Sequence, residues 1–393
     1  MTGDRPQERR PIDQAGDEAV VDFRLRDRPL VRCVGATASD IGAIEGRLGL
    51  RPTAVPPEVV APTSAGAPDV ILRYVADLPI RGTLRTVGRD DGAFTDDAFV
   101  IRRGERPVAI VPFETLGRSV GEIIVLRGSG APARLVSLLN VAVLARGAVA
   151  LHGSAVLLGG AGIVACGWSG SGKTEALLGF VGLGARYVGD EWLHTFADAR
   201  VAGLPEAIRI QDWHVEQLPW LRDRIGRRDA LRMSVAAAGE RGGRRLARTG
   251  RRLPGARALD GAAARLGGAR RHVDLAPDVL FGAGSLEPAA PIDRLFLLET
   301  STEPGIRIEP IDPALVAARM TLAHLHHRRE LMGWYWQSRF AFPDRRSDLM
   351  EGIESVERGL LEALFAGRPA YRVDHPHRVD MDALARAMAE TAR

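Results

Sequence analysis

Between about 19 and 130, apolar and polar positions alternate in short runs: 69–76 (DVILRYVA), 98–103 (AFVIRR), 107–112 (PVAIVP) and 122–127 (EIIVLR). A period of two marks half-buried strands, and Gly104-Glu105-Arg106 between two of these runs predicts a hairpin turn. The Pro- and Ala-rich stretch 51–68 predicts a loop. From 133 to 147 the rhythm changes, and Leu135, Leu138, Leu139, Val143 and Leu144 form the stripe of a helix. Two apolar runs follow, 154–158 and 162–166, joined by Gly159-Gly160-Ala161, which predicts a strand hairpin. A second helix is predicted over 174–183 from Leu177, Phe180 and Val181, with Gly184 as its C-cap. The strand-like 185–188 (ARYV) then runs into Gly189-Asp190-Glu191. Farther on, 294–298 and 306–311 predict strands, and helices are expected at about 313–333, 346–366 and 380–392.

This pattern predicts an α/β protein. A polar tail over 1–18, rich in charge and proline, is expected to be disordered. A small β-rich N-terminal domain is expected over 19–130, a core over 131–312, and a helical C-terminal region over 313–393. Within the core, 222–272 is dominated by Arg, Gly and Ala and reads as an insertion with little apolar area to bury. The long apolar stretch 135–166 is interrupted by Asn140, Arg146, His152 and the Gly159-Gly160 pair, so no span of about 20 apolar residues survives to cross a membrane.

Composition narrows the function class. The 393 residues are 46% hydrophobic and 26% charged, and 53 basic residues face 49 acidic ones for a formal charge of +4. That balance fits a globular chain and gives no reason to expect a nucleic-acid partner. Two cysteines, Cys33 and Cys166, and an N-terminus without an apolar signal core point to the cytoplasm.

Chemistry concentrates in Gly167-Trp168-Ser169-Gly170-Ser171-Gly172-Lys173-Thr174, which fits G-x-x-x-x-G-K-[ST]. Gly167, Ser169, Gly170, Ser171 and Gly172 would let backbone N–H groups face phosphate oxygens. Lys173 would reach the β- and γ-phosphates, Thr174 would ligate Mg2+, and the following helix would turn its positive end to the anion. The context this pattern needs, a buried strand before and a helix after, is predicted on both sides. Lys173 is also the only lysine among the 53 basic residues. In an otherwise all-Arg chain, a compact ammonium stands where a planar guanidinium would not fit. Asp190 and Glu191, at the end of a strand, would come to the carboxyl edge of the sheet beside the phosphates. Arg270 and Arg271, closing the insertion, are candidates to clamp a γ-phosphate. His324, His326 and His327 lie on a predicted helix without acidic or cysteine companions, which disfavours a metal site, and Trp334-Tyr335-Trp336 reads as packing.

These residues resemble the HPr kinase/phosphorylase family, P-loop kinases related to phosphoenolpyruvate carboxykinase. The resemblance runs from His152-Gly153-Ser154 through the hairpin and Ser169 to Glu175, and on to Gly184-Ala185 and Val188-Gly189-Asp190-Glu191. It implies an HPr kinase/phosphoenolpyruvate carboxykinase-like P-loop core using ATP and Mg2+. By the same resemblance Lys173 and Thr174 hold the phosphates and the ion, Asp190 is the base near the acceptor hydroxyl, Glu191 a metal-associated acid and His152 a partner of the catalytic acid or of the phosphate. Where the family carries two aspartates this chain has Asp190-Glu191, and only Glu206-Ala207-Ile208-Arg209 loosely matches a later glutamate-arginine-glycine signature. Those departures turn the expectation from HPr toward a hydroxyl, chiefly serine, of a peptide, another protein or a small molecule. Hexamers in the family imply a homo-oligomer.

Two other classes fit the same loop: a nucleotide-binding switch or assembly module that transfers nothing, and a carboxykinase-like enzyme acting on a small acid. With one lysine the chain has no N-K-x-D guanine-reading motif, and it has no L-S-G-G-Q run.

Overall fold

The short alternating runs pair into the first of two large mixed sheets in the computed structural model, which describes residues 19–55, 67–88, 90–117, 120–234, 236 and 272–391. Its strands are β1 (Val20–Leu25), β2 (Arg28–Val34), β3 (Pro52–Ala54), β4 (Val70–Val75), β5 (Arg85–Thr86), β6 (Gly92–Phe94), β7 (Phe99–Arg103), β8 (Arg106–Ile110) and β9 (Gly121–Leu126). They lie in the order β3-β1-β2-β4-β9-β8-β7-β6-β5. Only the central contacts β2–β4 and β4–β9 are parallel. A helix, α1 (Ala38–Leu48), enters between β2 and β3. Thr37 caps it by accepting from the Asp40 amide while Asp40 accepts from the Thr37 amide, so two of its first-turn donors are satisfied.

The second sheet carries the candidate chemistry. The predicted hairpin forms from β10 (Ala150–Leu158) and β11 (Ala161–Gly167), with Gly159 and Gly160 both at positive φ in the turn. Around it lie β12 (Arg186–Gly189), β13 (Trp192–Thr195), β14 (Arg200–Gly203), β17 (Ala290–Pro291), β18 (Arg294–Ser301), β19 (Arg307–Pro310) and β20 (Ala370–Pro376). The order is β17-β14-β13-β10-β11-β18-β20-β19, with β12 also paired to β10, and β11, β18 and β20 run parallel. A separate ribbon joins β15 (Ile208–Gln211) to β16 (His272–Leu275).

Helices cover both faces of this sheet. On one face α3 (Lys173–Gly182) and α10 (Met381–Thr391) share a core with Phe296, Leu298 and Val373. On the other, α6 (Pro313–His327), α7 (Arg329–Ala341) and α9 (Ile353–Phe365) share a core with Leu295 and Leu297. That second core continues through α2 (Leu135–Ala142), buried along almost its whole length, into Phe23, Leu72 and Ile123 of the first sheet. Three further short helices are α4 (Asp212–Gln217), α5 (Pro277–Phe281) and α8 (Asp348–Glu351). No helix among the described residues is long and apolar enough to cross a membrane.

Three expectations need correction. The stretch 313–393 is not helical throughout, because β20 comes from it and sits inside the second sheet between β18 and β19. Its first helix breaks at Arg328 and resumes to Ala341, burying Trp334 and Tyr335 while Trp336 stays exposed. The stretch 51–68 is not a loop throughout, because β3 comes from it and pairs with β1, while Ile225 and Met233 at the described start of the insertion enter the core beside α3. The tail 1–18 and the remainder of the insertion, with Arg270 and Arg271, lie outside the described residues.

Candidate functional site

The loop 167–172 joins β11 to α3 at the carboxyl end of the parallel strands. Gly172 is the N-cap of α3 at φ +92, and a Cβ there would lie 2.6 Å from Nε2 of His375, so both conformation and space demand glycine. No side chain among the described residues caps this helix. Its first-turn amides and dipole can therefore receive an anion. Lys173 is buried, and its Nζ donates to the carbonyls of Trp168 (2.9 Å) and Gly167 (3.3 Å). Burial lowers its pKa against the pull of Glu191 and Asp190. Ser169 and Gly170 are exposed at the loop's tip, and Ser171 is buried.

The carboxylates arrive from β12. A Cβ on Gly189 would meet the Cα of Gly203 at 2.4 Å, so two glycines let β12 and β14 approach closely just before the chain turns to Asp190. Asp190 is buried, and its Oδ2 accepts from the Thr174 hydroxyl at 2.9 Å. Burial, and next the neighbouring Glu191, push its pKa up to about 7. Glu191 sits at φ +66, a left-handed conformation that a glutamate adopts only when its surroundings impose it. Its Oε2 lies 3.1 Å from Nε2 of His152 on β10. Burial takes the His152 pKa down to about 4, so at neutral pH the uncharged ring donates to the carboxylate. That hydrogen bond in turn holds Glu191 below the usual carboxylate range.

The fold thus gathers His152, Lys173, Thr174, Asp190 and Glu191 around one helix start. It also adds side chains to which the sequence pattern gave no role. The His152 amide donates to Nε2 of the buried His324 at 2.9 Å, which fixes the His324 proton on Nδ1, where it is donated to Glu357 at 3.1 Å. Arg328 also bonds Glu357. His324 therefore does have an acidic companion, supplied by α9 from far along the chain, while His327 packs its ring 4.0 Å from that of His152. His375 places Nε2 2.9 Å from the Ser171 carbonyl. Glu175, directly after the Lys-Thr pair, meets His214 of α4 at 3.2 Å. Sequence periodicity can place these histidines on their elements but cannot say which loop they meet. Glu206 is half-buried with its pKa raised to about 7 by burial, and Arg209 is engaged by Asp274 across the β15–β16 ribbon.

Among the described residues no group of three His, Cys, Asp or Glu side chains converges as a metal cage. The Thr174 hydroxyl meets the Asp190 carboxylate, with Glu191 next to it in the chain, and oxygens of this kind suit a hard cation that completes its shell with phosphate and water. Comparison of the chain with models of known protein families finds no match, and comparison with curated protein sequences finds none either.

Proposed function

We propose that this protein is a Mg·ATP-dependent kinase of HPr-kinase type that transfers the γ-phosphate to a hydroxyl, chiefly serine, of a peptide, a protein or a natural product. The observation that carries this reading is a buried carboxylate with its pKa near neutrality, Asp190, hydrogen-bonded to the hydroxyl that follows the chain's only lysine. A base poised near working pH is what removal of a hydroxyl proton calls for.

Lys173 would leave its loop carbonyls for the phosphates, and the first-turn amides of α3 would orient them. Thr174, Asp190 and Glu191 are the residues that would hold Mg2+, whose chemistry there is to neutralise charge on phosphate oxygens. Asp190 takes the proton from the acceptor hydroxyl. As the new oxygen–phosphorus bond forms, the bond to the bridging β–γ oxygen breaks and ADP leaves with that electron pair. Neutral His152 keeps Glu191 oriented by donating to it and does not itself need to gain a proton.

The test is an intact-mass screen with Mg·ATP against peptides encoded beside the gene and serine-bearing metabolites. A gain of one phosphate on an acceptor, lost in Asp190→Asn, supports transfer with Asp190 as base. Tight ATP binding without transfer to any acceptor would instead support a nucleotide switch, and retained transfer in Asp190→Asn would remove that residue from the role of base.

A further inference from the structure

The chain covers opposite faces of the second sheet beside two adjacent parallel strands, β11 and β18. From β11 it enters α3, which packs with Phe296 and Leu298 on one face. From β18, by way of β19, it enters α6, which packs with Leu295 and Leu297 on the other. Because β19 runs antiparallel to β20, α6 begins at the amino end of these strands and brings its later turns back to their carboxyl ends, leaving a crevice against the loop, where ligands of open α/β sheets settle.

A cavity of about 440 Å³ lies at that crevice, walled by the loop 167–171, the end of β18 and one side of α6. Its surface is largely apolar, with Met320, Leu322 and the half-exposed Trp168. Its polar groups include Glu299 and Arg319, which form an ion pair. Such a size and such a mixture of apolar wall and few polar groups belong to a small-molecule pocket.

The position of the acids decides what the pocket would take. Asp190, Glu191 and His152 come from β12 and β10, on one flank of β11, while the cavity lies on the other flank, toward β18. In register Gly167 stands opposite Leu298, so β18 continues past the point where β11 becomes the loop. A phosphate chain held in the loop with its transferable end toward Asp190 has its other end at this cavity. We infer that the cavity holds the nucleoside of a bound nucleoside triphosphate. The base lies against Met320, Leu322 and Trp168, with Glu299 accepting from its polar edge and Arg319 donating to it. Bases carry a donor and an acceptor side by side on one edge, which an adjacent carboxylate and guanidinium match.

This inference rests on the nucleotide-binding reading of the loop, and the experiment separates the two. Titration calorimetry on the full chain compares Mg·ATP with Mg·tripolyphosphate, which offers the phosphates without a nucleoside. ATP should bind about tenfold or more tighter, the gain expected from burying and stacking a base. Thr300→Trp, which fills the cavity from an exposed strand end, and Leu322→Asp, which makes its wall polar, should each reduce ATP to the tripolyphosphate affinity. Tripolyphosphate itself should bind these variants as it binds the parent, which also reports that they are folded. ATP binding no tighter than tripolyphosphate in the parent, or keeping its advantage in both variants, would overturn the nucleoside assignment alone. Binding of neither ligand would overturn the loop reading and the inference with it.

Discussion

Asp190 links stability to chemistry at the level of a single carboxyl. An ordinary aspartate titrates at about 3.9, whereas burial and the adjacent Glu191 bring this one to about 7. Below about pH 4 both folded and unfolded chains keep the proton, so the group costs folding nothing. As pH rises from there to about 7, the unfolded chain gives up the proton and the folded one retains it, so stability falls and then levels off above 7. Asp190→Asn removes this penalty and keeps an oxygen for the Thr174 hydroxyl. The variant should therefore melt at a higher temperature than the parent at pH 8, by several degrees, with the difference closing as pH falls toward 4. Melting curves across that range check it, and a difference independent of pH would mean that Asp190 is not held out of water. Catalytic sites commonly accept such a loss of stability for a group poised to act.

At the scale of elements, β10 is held in place by helices rather than by its own sheet alone. The register of β10 changes partner from β13 to β12 beyond His152. The His152 amide is bonded there by His324 of α6, itself backed by Glu357 of α9 and by Arg328. All three side chains are buried, and His324 and Arg328 keep the Glu357 pKa low against the burial that would raise it. Glu357→Leu would strand a buried guanidinium and leave the His324 proton without an acceptor. It should cost about 3–5 kcal/mol in urea unfolding, the scale of a broken buried pair. A cost within the range of a surface substitution would show that the tie is idle.

The same tie explains what could be read in advance. The β10–β11 hairpin, α3 and the strand leading to Asp190 were legible because each is local: paired glycines, a helical stripe and a short apolar run. The loop and its two acids followed from spacing. His324, Glu357 and His375 were not legible as site residues, because their roles depend on partners 172, 33 and 204 positions away. The helix α1 went unassigned although Thr37-x-x-Asp40 before Ile41, Ile44 and Leu48 is a capping signal followed by a helical stripe.

The whole molecule depends on its last strand. In β20 the alternation of Tyr371, Val373 and His375 is a strand pattern, but it stands among helices and only long-range pairing with β18 and β19 gives it a ladder. Three things converge on it: the second sheet is completed, His375 reaches the loop, and the chain returns as α10 to cover α3. The fit of α10 is close enough that a Cβ on Gly179 would come 2.2 Å from the Met381 carbonyl. One continuous core runs from the first sheet through α2 to the helices over the second, so loss of the strand should be felt beyond the site. A chain ended after Gly367 would expose both edges that β20 now fills, together with the apolar side of α3. The full chain should unfold in one cooperative transition by calorimetry, and the shortened chain should show none, binding a hydrophobic dye in its place. A cooperative transition near the parent temperature in the shortened chain would mean that the two sheets and α2 fold without β20, and that His375 is an addition to a loop already formed.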